Sequence, residues 1–132
     1  MSGTAFTFTK LAVADLDRAV TFYSTCVGLR LLKRFVADEG PYAQEEAVLV
    51  NGNGERGPML LLVRYLSRPA PPPGAAWLGF SVVDLDGTIA AVERAGGAVL
   101  VPVHEALGMR IAVVADREGH PIELTTPLDG PP

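Results

Sequence analysis

Few side chains in this 132-residue chain have the chemistry to act on or hold another molecule, and Glu123 stands out among them. In "DREGHPIEL" (Asp116 to Leu124) it lies between Ile122 and Leu124, in a segment that reads as a turn feeding a strand. A carboxylate in an apolar strand is costly unless something pairs with it or uses it. Three roles follow: metal ligand, general acid or base, or structural partner of a cation such as Lys10 or of nearby hydroxyls. The two histidines are His104, in or after "VLVPVHEAL", and His120, in the turn before "PIEL". Both read as exposed turn residues. His120 and Glu123 are three apart on an extended chain and face opposite sides, which argues against a shared metal site. Cys26 is the single cysteine, so no internal disulfide forms, and it reads as a small buried hydrophobe rather than a nucleophile.

The elements that must position these groups belong to one compact domain with a real core. Hydrophobic residues make up 48% and charged residues 20% of the chain, and at this size roughly two thirds of the unfolded surface can be buried without staples. The net charge is −4 and no basic stripe is present, which argues against a nucleic-acid partner. "RLLKR" (Arg30 to Arg34) reads instead as a strand with solvated charges. No apolar run is long enough to cross a membrane, "MSGTAFTFTK" lacks a signal-peptide core, and cysteine usage fits a reducing compartment; the expectation is a cytoplasmic protein.

The chain repeats itself. "LAVADLDRAVTFYSTCVGLRLL" (Leu11 to Leu32) aligns without gaps on "FSVVDLDGTIAAVERAGGAVLV" (Phe80 to Val101) at an offset of 69 residues. Val13, Asp15, Leu16, Asp17 and Gly28 match Val82, Asp84, Leu85, Asp86 and Gly97. In each copy a β-rich run ("FTFTKLAV", "WLGFSVV") precedes a helix. Asp15 or Asp17, and Asp84 or Asp86, supply the N-cap, and Gly28 or the Gly96-Gly97 pair supplies the left-handed stop. Ala19, Val20, Phe22, Tyr23 and Val27 fall near helical spacing, with Phe22 and Tyr23 as core or interface residues. The second halves also correspond, "GPMLLL" falling on "HPIELT" at an offset of 63. Each copy is therefore strand, helix, then three strands. The second copy's last three strands read "AVLVPVHEA", "RIAVVA" and "PIELTT". "SRPAPPPGA" reads as a stiff joint between the copies.

A doubled β-α-β-β-β pattern, with "V-x-D-L-D" opening each helix and "D-x-x-G-x-x-I-E-L" closing the chain, resembles the vicinal oxygen chelate superfamily. That group includes glyoxalase I, extradiol dioxygenases, thiol transferases that confer fosfomycin resistance, and bleomycin-resistance proteins. The resemblance spans about residues 5–127 and implies an α+β fold. Two tandem βαβββ modules would form a cupped half-barrel sheet in a single domain, residues 1–132. Module one is about 5–66, the proline-rich linker 67–76 and module two about 77–127. It also implies four ligand positions in metal-dependent members: one early on the first strand of each module and one on each last strand, usually His, Gln or Glu. Carried over residue by residue, these are Phe8, Leu60, Trp77 and Glu123. Phe8 and Trp77 stand seven residues before Asp15 and Asp84 and lie 69 apart, as the repeat requires.

Phe, Leu and Trp have no atom that coordinates a divalent ion, and one carboxylate does not make a site. The expectation is therefore no metal and no cofactor. By strand alternation the cup would instead be lined by Phe8, Lys10, Leu60, Leu62, Trp77, Gly79, Ser81, Glu123 and Thr125. Phe6, Ala12 and Pro121 would share those faces, and Arg64, Arg110, His104 and Glu105 would lie at the rim. Such a surface suits a small hydrophobic or aromatic molecule, with Phe8 and Trp77 stacking on it and Gly79 leaving room beside Trp77. Phe8 and Trp77 could equally fill a collapsed cup, and Lys10 could snorkel to solvent. One reading is a metal-independent binding protein of the sequestration or resistance type. A second is a metal-free isomerase, cyclase or lyase in which Glu123 moves a proton and Lys10 or Ser81 steadies an oxyanion. A third is a metal-dependent lyase or dioxygenase. The resemblance further implies a homodimer. Neither the ligand nor the pairing of modules, within a chain or across chains, is legible in the sequence.

Overall fold

The computed structural model describes residues 3–129, which form two compact units. Unit one holds the chain up to Ser24 and Gly28–Pro71; unit two holds Thr25–Val27 and the chain from Pro72. The boundary falls within the proline-rich stretch.

Unit one is built from β1 (Phe8–Ala12), α1 (Leu16–Val27, apart from its last three residues), β2 (Arg30–Ala37), β3 (Gln44–Val50) and β4 (Met59–Tyr65). Asp15 is the cap of α1, its carboxylate accepting from the Arg18 N–H at 3.0 Å, while Asp17 is the first-turn acid. The helix buries Leu16, Ala19, Phe22, Tyr23 and Cys26, a stripe at three- and four-residue spacing. Gly28 stops it at φ 71°, a left-handed conformation that costs glycine little. The sheet order is β1-β4-β3-β2, with β1 parallel to β4 and the other pairs antiparallel.

Unit two repeats the plan with β5 (Leu78–Ser81), α2 (Leu85–Arg94), β6 (Ala98–Ala106), β7 (Met109–Ala115) and β8 (Pro121–Pro127), in the order β5-β8-β7-β6. Asp84 caps α2, accepting from the Gly87 N–H at 3.0 Å. The result is α+β, two four-stranded mixed sheets each carrying one helix, and neither sheet closes into a barrel.

Strand register fixes which residues share a face. In unit one, Arg34 reaches Asp17 of α1 at 2.6 Å, and Arg64 pairs with Glu45 at 3.4 Å. The face carrying Arg34, Glu45 and Arg64 is therefore the helix side. Ala47, Leu49, Leu60 and Leu62 alternate onto it and are buried. In unit two, Arg110 reaches Asp86 of α2 at 3.4 Å, marking the face of Ala112, Val114, Ile122 and Leu124 as the helix side. The surface turned away from each unit's own helix is called its far face below.

This register corrects the sequence expectation in one respect. Phe8 pairs with Met59, Thr9 with Leu60 and Lys10 with Leu61. In unit two, Leu78 pairs with Ile122 and Gly79 with Glu123. With Phe8 set on Trp77, the residue of β4 equivalent to Glu123 is Leu61, and the offset between the last strands is 62 rather than 63. Leu60 and Leu62 thus lie on the helix side and not beside Phe8 and Lys10. The expectation failed because it matched Pro58 to Pro121 by residue type. A slip of one along a strand turns every side chain to the opposite face. Arg64 and Arg110 are also on the helix sides, held in ion pairs, and do not line a far-face rim.

Candidate functional site

The far face of unit one carries Phe8 and Lys10 on β1, Leu61 and Val63 on β4, Glu46 and Val48 on β3, and Lys33 and Phe35 on β2. Phe8 is 46% exposed, whereas Leu61, Val63 and Val48 are buried. Lys10 reaches across β4, and its ammonium stands 3.0 Å from Glu46 Oε1. The exposures of the two side chains differ sharply, 42% for Lys10 and 4% for Glu46. Although the ion pair is close, Oε1 is buried and no donor is aligned on it. The ammonium compensates its charge by proximity rather than along a hydrogen-bond direction. Lys10 is therefore not free in solvent; its partner is Glu46.

Glu46 escaped the sequence reading, although a signal was present. In "QEEAVLV" two acids are consecutive within a strand, and alternation must send one to each face. Glu45 goes to the helix side, where Arg34 and Arg64 meet it at 3.0 and 3.4 Å. Glu46 goes to the far face. Lys33 lies over the Phe35 ring at 5.4 Å on that same face.

The far face of unit two carries Gly79 and Ser81 on β5, Pro121, Glu123 and Thr125 on β8, Ile111 and Val113 on β7, and His104 on β6. Glu123 is half-buried, and Trp77, just ahead of β5, is 56% exposed. A Cβ at Gly79 would meet only the Glu123 carbonyl, at 4.0 Å. No backbone constraint demands glycine there, and its missing side chain leaves space beside Glu123. His104 is exposed, with Nδ1 3.2 Å from the Pro102 carbonyl; since that oxygen only accepts, Nδ1 carries the proton and Nε2 the lone pair when the ring is neutral. Register thus brings Gly79, Ser81, Glu123 and Thr125 onto one face and adds His104 to them, while Glu105, paired with Arg110, lies on the helix side.

His120 differs from expectation. It is buried rather than exposed, with Nδ1 2.8 Å from Asp116 Oδ2. Asp116 Oδ1 also accepts from the N–H groups of Glu118 (2.9 Å) and His120 (3.0 Å), so this dyad ties the turn that delivers β8. The signal was the aspartate four residues before the histidine with Gly119 between them, an Asx-type turn. Cys26 is buried, and burial pushes its thiol pKa up.

With the register settled, the four positions that the vicinal oxygen chelate resemblance reserves for metal ligands hold Phe8, Leu61, Trp77 and Glu123. Three of these side chains have no donor atom, so the set does not fit a divalent ion that asks for three or four N, O or S ligands. Among the described residues no cluster of three or more His, Cys, Asp or Glu side chains is placed to hold a metal.

Comparison with known proteins agrees with this architecture. A sequence model of the Glyoxalase/Bleomycin resistance protein/Dioxygenase superfamily matches residues 5–124. A lactoylglutathione lyase of Haemophilus influenzae is 31% identical over 119 residues, covering 87% of each chain. A glyoxalase family protein from Bacillus cereus superimposes with a TM-score of 0.82 at 21% identity, covering 97% of this chain and 99% of that one. TnmS3, an antibiotic binding protein from Streptomyces, superimposes with a TM-score of 0.71 at 23% identity, over 96% and 98% of the two chains.

Proposed function

The chain belongs to the Glyoxalase/Bleomycin resistance protein/Dioxygenase superfamily, and from that premise we propose that it binds a small hydrophobic or aromatic molecule without a metal, as a sequestration or resistance protein. One observation supports this reading: in the register that pairs Lys10 with Leu61 and Gly79 with Glu123, the positions that the resemblance would give to metal ligands hold Phe8, Leu61 and Trp77 beside Glu123. Phe8 on unit one and Trp77 on unit two each offer exposed aromatic surface on which a planar ligand can stack. Lys10 supplies a polar contact on the far face of unit one, and Ser81, Glu123 and Thr125 supply polar contacts on that of unit two, where Gly79 leaves space next to Glu123. The same fold carries an antibiotic binding protein in Streptomyces. No membrane or nucleic-acid partner enters this reading.

A second reading, a metal-free lyase, isomerase or cyclase, is favoured by the name of the Haemophilus relative, a lactoylglutathione lyase. Here Glu123 would exchange a proton with a bound carbonyl compound, and Ser81 or Thr125 on the same face would donate to its oxygen.

A homodimer is part of the first reading. β2 and β6 each form one of the two edges of their sheets and expose Leu32, Phe35 and Val36, and Val99, Leu100 and Val101. Runs of this kind favour association with a second chain.

Native mass spectrometry with metal analysis on protein purified from its source tests these points together. The expected result is a dimer with far less than one metal per chain and a retained organic molecule that is released unchanged. Stoichiometric nickel or zinc would overturn the metal-free reading. Release of a chemically altered molecule, with turnover abolished by Glu123→Gln, would favour the enzyme.

A further inference from the structure

We propose that Glu46 is a specificity-determining residue of the far face of unit one: by neutralising Lys10 it selects an aromatic ligand bearing a neutral carbonyl oxygen over one bearing a carboxylate. The inference rests on the reading that this face binds a planar organic molecule.

The pair is lopsided. Lys10 is nearly half exposed, and a lysine so placed would be solvated without help. Glu46 is the group that needs its partner, being buried with Oε1 lacking an aligned donor. A valine or leucine at position 46 would fit among Val48, Leu61 and Val63 more cheaply, since buried ion pairs rarely outperform apolar packing. The pair therefore makes little sense as a device for stability. It does make sense as control of charge at the Lys10 ammonium, two residues from the exposed Phe8 ring on the same face.

Among the described residues the ammonium has no other ion-pair partner, so N–H groups remain for a ligand. An acceptor oxygen that meets them comes close to Glu46 as well. For a carbonyl this costs little, because the oxygen carries only a partial charge. A carboxylate faces a second full negative charge, held buried beside the ammonium, and its attraction to Lys10 is offset. Glu46 acts through Lys10 and is a positioning residue rather than a contact.

Three probes of one shape isolate the effect: 2-acetylnaphthalene, 2-naphthoate and 2-ethylnaphthalene, titrated into ¹⁵N-labelled full-length protein. The wild type is expected to bind the ketone at least tenfold more tightly than either of the others. In Glu46→Gln, 2-naphthoate should gain at least tenfold relative to the ketone, because Lys10 is no longer neutralised; a merely structural role would leave this ratio unmoved. In the double variant Lys10→Met/Glu46→Leu, which removes both charges and spares the fold, the ketone and the hydrocarbon should converge. An unchanged ratio in Glu46→Gln overturns the proposal, as does a wild-type preference for 2-naphthoate. Equal binding of all three probes, centred on Phe8, would sink the role of Glu46 and leave the aromatic-binding face standing. Binding of none of them, with no organic molecule retained on the purified protein, would sink both.

Discussion

Replacing Lys10 with methionine should destabilise the protein far more than an exposed lysine normally warrants. The aliphatic stem is nearly conserved, so the change removes a charge and little else. What it leaves behind is a buried carboxylate whose Oε1 has no aligned donor. At the observed 3.0 Å, an effective dielectric of about 20 gives a Coulomb attraction of roughly 5 kcal/mol. Because the Lys10 end is 42% exposed, solvent screens a large part of this, and about 2–3 kcal/mol is the expected net loss. For a chain of this length that corresponds to a fall in Tm of about 10 °C. Urea unfolding of wild type, Lys10→Met, Glu46→Leu and the double variant forms a cycle that isolates the pair. Glu46→Leu leaves only a half-exposed lysine and should cost little; the double variant should return to within about 1 kcal/mol of wild type or exceed it. A Lys10→Met variant as stable as wild type would refute the reasoning, because Glu46 would then be compensated by something other than the ammonium.

Two further outcomes follow from groups that the ligand reading does not use. Asp116→Ala removes the acceptor of two backbone N–H groups and of the buried His120 ring, and should cost about 2–4 kcal/mol by urea unfolding, with amide exchange accelerating first in the turn before β8. A loss confined to a few tenths would show that the dyad does not hold that turn. Cys26 should react with a thiol reagent many times more slowly in the native protein than in urea, because burial both blocks access and raises its pKa. Folding then favours the protonated thiol, so its contribution to stability is full below the unfolded thiol's pKa and declines as pH rises through the folded one. Native labelling as fast as that of the unfolded chain would contradict the burial.

Much of the fold was legible because local signals and the internal repeat agreed. The aspartate caps, the Gly28 stop and the helical stripe each have a local physical cause, and the repeat supplied a second copy to check them against. Burial of His120 was hidden because it depends on a carboxylate folding back across a turn, and composition marks such a residue only as polar. The register of β4 was hidden for a different reason. Its run "MLLLV" has no alternation to mark a face, since Leu60, Leu61, Leu62 and Val63 are all buried. With both faces apolar, only pairing decides which leucine looks which way. The match of Pro58 to Pro121 offered a plausible but wrong answer. The parallel ladder Thr9–Leu60, Lys10–Leu61 sets Leu61 opposite Glu123 in the repeat, and the same parity sends Glu46 rather than Glu45 to the face that carries Lys10. The chemistry changes with it. The far face of unit one, like that of unit two, holds a carboxylate, on β3 instead of on the last strand and already matched to a cation. The two far faces thus carry carboxylates in different states of compensation, Glu46 paired and buried, Glu123 half-buried beside a glycine that leaves it room.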